Sequence, residues 1–196
     1  MIPIVVDPKQ SAMALIGRGQ AAERRLDLLL TGGAEQITVF SDAPSRRLEE
    51  LAGHRLHRRL PSASELARFA LLWIADLPIA EAAPLARAAR AGGCLVNVED
   101  VVAFCDFHNP SQVRRGDLLL TVSTAGKSPG LAARIRAQLA GAFGPEWAGR
   151  LERIGEKRNA WRREEHSLED LARLTNATID AHGWLPKDVT PKDLRP

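Results

Sequence analysis

The chain has 196 residues, 45% of them apolar and 26% charged, which is enough to bury a core and too apolar for a disordered polymer. Its 27 basic and 24 acidic residues leave a formal charge of +3, too small a surplus to indicate a nucleic-acid binder. The two cysteines, Cys94 and Cys105, have neither C-x-x-C spacing nor a cysteine framework around them, so neither a disulfide scaffold nor a zinc knuckle is implied. No stretch approaches the roughly 20 apolar residues that cross a bilayer. The opening Met1-Ile2-Pro3-Ile4-Val5-Val6-Asp7 carries no basic region and no cleavage signal, so a reducing, cytoplasmic setting without membrane contact is expected.

Residues 12–16 read as a first strand, and 20–30 as a helix stopped by Thr31-Gly32-Gly33, with glycine supplying the left-handed residue. Residues 36–40 alternate as a second strand, and 41–44 open the next helix. The basic run His54, Arg55, His57, Arg58 and Arg59 reads either as a solvated face or as the rim of a site for an anion, with a short strand at 55–58. Residues 70–75 form a stronger strand, an alanine-rich helix covers 81–91, and 94–98 close the series. Short apolar runs alternating with amphipathic ones are the rhythm of a parallel sheet with crossover helices.

A second unit is expected near Leu118, where 118–123 is rich in strand formers and Ser128-Pro129 supplies a capping hydroxyl and a first-turn proline. Beyond Pro145 the pattern is helical. Trp147, Leu151, Ile154 and Trp161 recur at three- and four-residue steps, and Leu168, Leu171 and Leu174 follow in a further helix after Ser167. The tail from Leu185 is expected to be irregular because of its prolines.

Gly17-Arg18-Gly19-Gln20-Ala21-Ala22 is a G-x-G-x-x-A turn between a strand and a helix. The first glycine permits the tight turn and the second lets the backbone approach a pyrophosphate. The small Ala22 lets the helix lie close to the sheet, and the unpaired N–H groups at the helix start then face the phosphates. Ser41 and Asp42 lie just past the second strand, about where a ribose-binding carboxylate falls. Asp42 reads equally as a cap for the next helix. Thr121 to Pro129 contains Gly126-Lys127-Ser128 but lacks the leading glycine of a phosphate loop.

Four blocks then agree in order: Ile2-Pro3-Ile4; the glycine turn with Ala22-Glu23-Arg24-Arg25; Leu95-Val96-Asn97-Val98-Glu99-Asp100; and Val113-Arg114-Arg115-Gly116 with Thr121-Val122-Ser123-Thr124-Ala125-Gly126-Lys127-Ser128-Pro129. Over roughly residues 1–140 the chain resembles the precorrin-2 dehydrogenase / sirohydrochlorin ferrochelatase family, the N-terminal module of sirohaem synthase. The resemblance implies a Rossmann-like NAD-binding domain at 1–113, a dimerisation region at 114–144 and a helical C-terminal domain at 145–196, assembled as a homodimer. It implies NAD-dependent dehydrogenation of precorrin-2 to sirohydrochlorin, with ferrous iron (Fe²⁺) as a further substrate in some members.

Asp100 matches the family's key carboxylate, suited to accepting a proton from the macrocycle; its plainer reading is a cap for the run Val101-Val102-Ala103-Phe104. Asn97, His108, Ser123, Thr124, Lys127 and Ser128 are implied to line the tetrapyrrole cleft, with strand end and helix cap as the plainer reading of the last four. No spacing suits a resident metal. Two departures stand out: Arg18 replaces a glycine, and Ala75-Asp76-Leu77-Pro78 replaces the stretch that helps hold the nicotinamide. They leave open a module that binds tetrapyrrole or a partner without using a cofactor, and a chelatase that needs no dinucleotide.

Overall fold

The computed structural model describes residues 1–186; the rest of the tail expected to be irregular lies outside the described residues. The chain divides into two compact units, one ending at Asn109 and the other starting at Pro110.

The first unit is built on β1 (Met13–Gly17), β2 (Thr38–Phe40), β3 (Leu56–His57), β4 (Leu71–Ala75) and β5 (Leu95–Val98). All four pairings are parallel and the spatial order is β3-β2-β1-β4-β5. The helices are α1 (Gly19–Thr31), α2 (Arg46–Ala52), α3 (Ala63–Leu66) and α4 (Ile79–Ala91). Strands β1 and β4 are buried along their whole length, because helices cover both faces of the sheet. Alternation assigns the side chains. Leu15, Val39 and Trp73 pack with Leu26 and Leu48 of α1 and α2, whereas Ile16, Leu72, Ile74 and Val96 pack with Leu66 of α3 and Ala82 and Ala86 of α4. This is the Rossmann-like parallel architecture expected.

Local chemistry explains the boundaries. Gly33, at φ 92°, is the left-handed residue after α1, one position beyond the helix-like Gly32. The cap of α2 is Ser45, which accepts the Leu48 N–H, and the Ser45 hydroxyl also binds Glu23 of α1. Helix α3, missed in the sequence, is one turn held by a reciprocal box between Ser62 and Glu65. Part of the basic run is engaged in place: Arg58 pairs with Glu49, Arg59 with Glu65, and Arg55 donates to the carbonyls of Glu35 and Ala52. Two of its three arginines are thus paired with carboxylates, which favours the solvated-face reading.

The second unit holds an antiparallel pair, β6 (Ser111–Arg115) and β7 (Leu118–Val122), and the helices α5 (Pro129–Ala142), α6 (Trp147–Arg163) and α7 (Leu168–Ala181). The strand β6 was not anticipated, and the boundary expected after residue 113 falls inside it. Arg115 donates to the carbonyls of Ala140 and Phe143 and so closes the end of α5. Ser128 caps α5 as expected, and Ser167 caps α7. Of the three leucines expected to line one stripe, Leu168 is 82% exposed, Leu171 is buried and Leu174 half-buried. Among the described residues no helix is long and apolar enough to cross a membrane.

Candidate functional site

The order β3-β2-β1-β4-β5 reverses direction between β1 and β4, and ligands of open α/β sheets bind at the carboxyl ends of the strands flanking such a reversal. The glycine turn leaves β1 at that point. A Cβ on Gly17 would stand 2.4 Å from the Ala75 carbonyl oxygen and 2.9 Å from the Ala22 methyl, so only glycine lets β1, β4 and α1 meet. Gly19 takes φ +56°. The residue before α1, Arg18, makes no side-chain cap, and the helix start keeps N–H groups free for an anion, while Ala22 N–H is satisfied by the Arg18 carbonyl at 3.4 Å. Gln20 is exposed at the mouth and Ala21 packs partly against the core.

Arg18 neither crowds this turn nor hangs free. Its Nε donates to Asp42 Oδ1 at 2.7 Å and its Nη2 to Asp42 Oδ2 at 2.6 Å. Nη1 and Nη2 reach Glu81 Oε1 and Oε2 at 3.3 and 2.8 Å. The guanidinium thus spans from the end of β2 to the first turn of α4. Hydrogen bonds donated to Asp42 and then to Glu81 raise the Arg18 pKa further above its ordinary value, and the same bonds hold Asp42 below the usual carboxylate range. The alternative reading of Asp42 as a helix cap is corrected here: Ser45 takes that position.

Ser41 is fully buried and its hydroxyl has no hydrogen-bond partner among the described residues. Such a group beside the ribose position suits a polar ligand. Asp76, just past β4, has φ 57°, and its Oδ2 lies where a Gly19 Cβ would come within 2.2 Å. An exposed carboxylate thus leans over the glycine turn. Leu77 packs on the core and Pro78 heads α4, its carbonyl accepting from Glu81 and Ala82 N–H. A glycine cradle, an uncapped helix start, an acid at the ribose position and an orphaned hydroxyl fit a dinucleotide; the Asp76 side chain, on rotatable bonds, is the part that must give way.

Asp100 follows β5 with φ 63° and an exposed side chain. The short 3-10 turn Val102–Phe104 begins from Val101 without a side-chain cap, so the capping reading of Asp100 is also corrected. A left-handed aspartate costs backbone energy and turns its carboxylate off the strand end. Asn97 does the opposite. It is 6% exposed, its Nδ2 donates to the Phe107 carbonyl at 2.8 Å, and its Oδ1 accepts from Asn109, which in turn accepts from Trp73 Nε1 at 3.0 Å. Its amide is committed to tying 105–109 onto β5, which argues against the substrate contact expected of it. His108 is exposed in that same loop.

The remaining expected residues lie in the second unit. Thr124 Oγ1 donates to the Ser128 carbonyl and accepts its N–H, and Ser128 Oγ accepts from Leu131 N–H at 3.2 Å. Both hydroxyls thus shape the loop and the start of α5. Ser123 accepts from Ala125 N–H, and its side chain and that of Lys127 are exposed. Among the described residues no three His, Cys, Asp or Glu side chains converge as a metal site.

Two residues escaped the sequence reading. Glu81 belongs to the Arg18 bridge, and Glu99 forms a part-buried pair with Arg25 at 3.6 Å. Glu81 lies 63 positions from Arg18, and no local spacing links them.

A doubly wound parallel sheet with a glycine turn and an open helix start at its reversal point is the dinucleotide-binding class of α/β domain. Known proteins agree. A family model described as "Putative NAD(P)-binding" matches residues 4–111, and one described as "Sirohaem biosynthesis protein central" matches 115–142. With more than half its length matched by the first, the chain belongs to that NAD(P)-binding family. Siroheme synthase 1 of Serratia proteamaculans is 32% identical over 96% of this chain and 43% of its own length. Siroheme synthase of Methylococcus capsulatus is 35% identical over 70% of this chain and 30% of its own. The chain thus spans less than half the length of these curated relatives. The solved structure of SirC, precorrin-2 dehydrogenase, superposes with a TM-score of 0.74 at 25% identity, covering 95% of this chain and 94% of that one.

Proposed function

We propose that the protein is a precorrin-2 dehydrogenase of sirohaem biosynthesis, using NAD and making sirohydrochlorin. The carrying observation is the placement of an open glycine turn and the exposed, left-handed Asp100 at the carboxyl ends of β1 and β5 in one parallel sheet. Full-length similarity to a precorrin-2 dehydrogenase structure supports the same reading.

When bound, the nicotinamide supplies a hydride acceptor. The free N–H groups at the start of α1 would hold the pyrophosphate, and the Asp42 carboxylate would receive ribose hydroxyls. Loss of a hydride from the macrocycle leaves a proton to be taken up, and Asp100 accepts it on a carboxylate oxygen. Exposed Ser123, Lys127 and His108 suit the peripheral carboxylates of a tetrapyrrole. The same carboxylate can take a pyrrole proton as Fe²⁺ enters, which extends the reading to chelation with iron as substrate. A homodimer formed through the second unit is supported by its two-stranded sheet, in which Leu118, Leu119 and Leu120 stay half-exposed. Two free cysteines accord with a cytoplasmic setting.

Anaerobic incubation with precorrin-2 and NAD tests the proposal. Sirohydrochlorin absorbance should rise above an enzyme-free control; no rise, with no NAD binding by calorimetry, refutes it. The bridge on Asp42 and the carboxylate over Gly19 favour, as the second reading, a tetrapyrrole-binding module that has given up its cofactor. In that case sirohydrochlorin binds and NAD does not.

A further inference from the structure

The Arg18 bridge uses four of the five N–H donors of the guanidinium, two on each carboxylate. The three side chains are 26%, 37% and 38% exposed, so they form a fixed, half-buried group at the position of the adenosine ribose. One cation shared by two anions leaves a net charge of about −1 at this point. One N–H and the outer lone pairs of Asp42 remain available.

We infer that Glu81 is a specificity-determining residue: by holding Arg18 between two carboxylates it makes the site accept an unphosphorylated ribose and reject a 2′-phosphate. The inference rests on the dinucleotide-binding reading above. A neutral ribose diol can donate to the outer lone pairs of Asp42 without breaking the bridge. A 2′-phosphate brings nearly two negative charges toward a negative group, and the arginine that would ordinarily welcome it is already spent. Without Glu81 the Arg18–Asp42 pair would be neutral, and the two N–H groups released could turn toward the phosphate. A glutamate in the first turn of α4 thus sets the cofactor from the far side of the cleft, across the strand reversal.

Calorimetric affinities for NAD and NADP, measured on the full chain, test this independently of turnover. The wild type should favour NAD by about tenfold or more. Glu81→Gln should narrow that ratio about fivefold, chiefly by improving NADP binding, consistent with removal of one charge at a half-exposed site. Asp42→Asn combined with Glu81→Gln should favour NADP, and Arg18→Ala should widen the preference for NAD. A merely structural role for Glu81, pinning α4 to the sheet edge, would change both affinities alike. If the wild type binds NAD and Glu81→Gln leaves the ratio unchanged, the role assigned to Glu81 is overturned and dinucleotide binding stands. If the wild type binds neither nucleotide, the dinucleotide reading itself falls.

Discussion

Replacing Gly17 by alanine should destabilise the first unit by about 2 kcal/mol, within the ~1–3 kcal/mol typical of overpacking a tight interior. The new methyl would stand 2.4 Å from the Ala75 carbonyl oxygen and 2.9 Å from the Ala22 methyl. Neither group can rotate away, since one is strand backbone and the other a helix methyl fixed to its backbone. Relief requires β4 or α1 to withdraw by more than about half an ångström, which lengthens the Arg18 N–H contact to that same carbonyl, already 3.3 Å. Losing that bond costs ~1 kcal/mol. Against this, alanine restricts the unfolded chain and returns ~0.4–1 kcal/mol, because Gly17 does not need a positive φ. Urea denaturation followed by far-ultraviolet circular dichroism reads the difference. A midpoint within experimental error of the wild type would refute the close-packing argument and leave Gly17 an ordinary turn residue.

Other expectations separate chemistry from architecture. Asp100→Asn should abolish most precorrin-2 turnover while keeping the unfolding midpoint, since asparagine also tolerates the left-handed conformation; wild-type rates would remove Asp100 from proton transfer. Leu26→Ala, at a fully buried position between α1 and the sheet, should cost ~2–5 kcal/mol in the same urea titration. The Cys94 thiol is pushed up to about 11 by burial and then by the charge of Asp106. Its folded pKa lies above the unfolded one, so this stabilisation is complete below pH ~9, where the unfolded thiol begins to ionise, and is lost as pH rises toward 11. Cysteine→serine controls should isolate a fall of order 2 kcal/mol across that window, and at pH 8 iodoacetamide should leave Cys94 unlabelled in the native protein.

Much of the fold was legible because its signals are local. β-rich runs, the glycine turn, and the caps at Ser128 and Ser167 act within a few residues, so composition and spacing suffice to place β1, β4, β5, α5 and α7. Weak elements escaped: α3 is a single turn, and β6 has a polar, basic sequence that becomes strand only by pairing with β7. The candidate site divides in the same way. The glycines and Asp100 could be picked out because backbone geometry and a strand-end carboxylate leave a mark in the order of residues.

What the amino-acid sequence determined by itself was therefore the alternation of elements, the two glycines that the first turn demands, and the family to which the blocks belong. Tertiary structure decided what each side chain is committed to. It turned Asn97 inward onto Phe107 and Asn109, paired Arg58 and Arg59 with Glu49 and Glu65, and left the Ser41 hydroxyl without a partner among the described residues. It also delivered Glu81 to Arg18 across the strand reversal. Hydrogen bonds and ion pairs act over a few ångströms whatever the separation along the chain, so only the folded sheet could show which charges at the nucleotide edge are already spent.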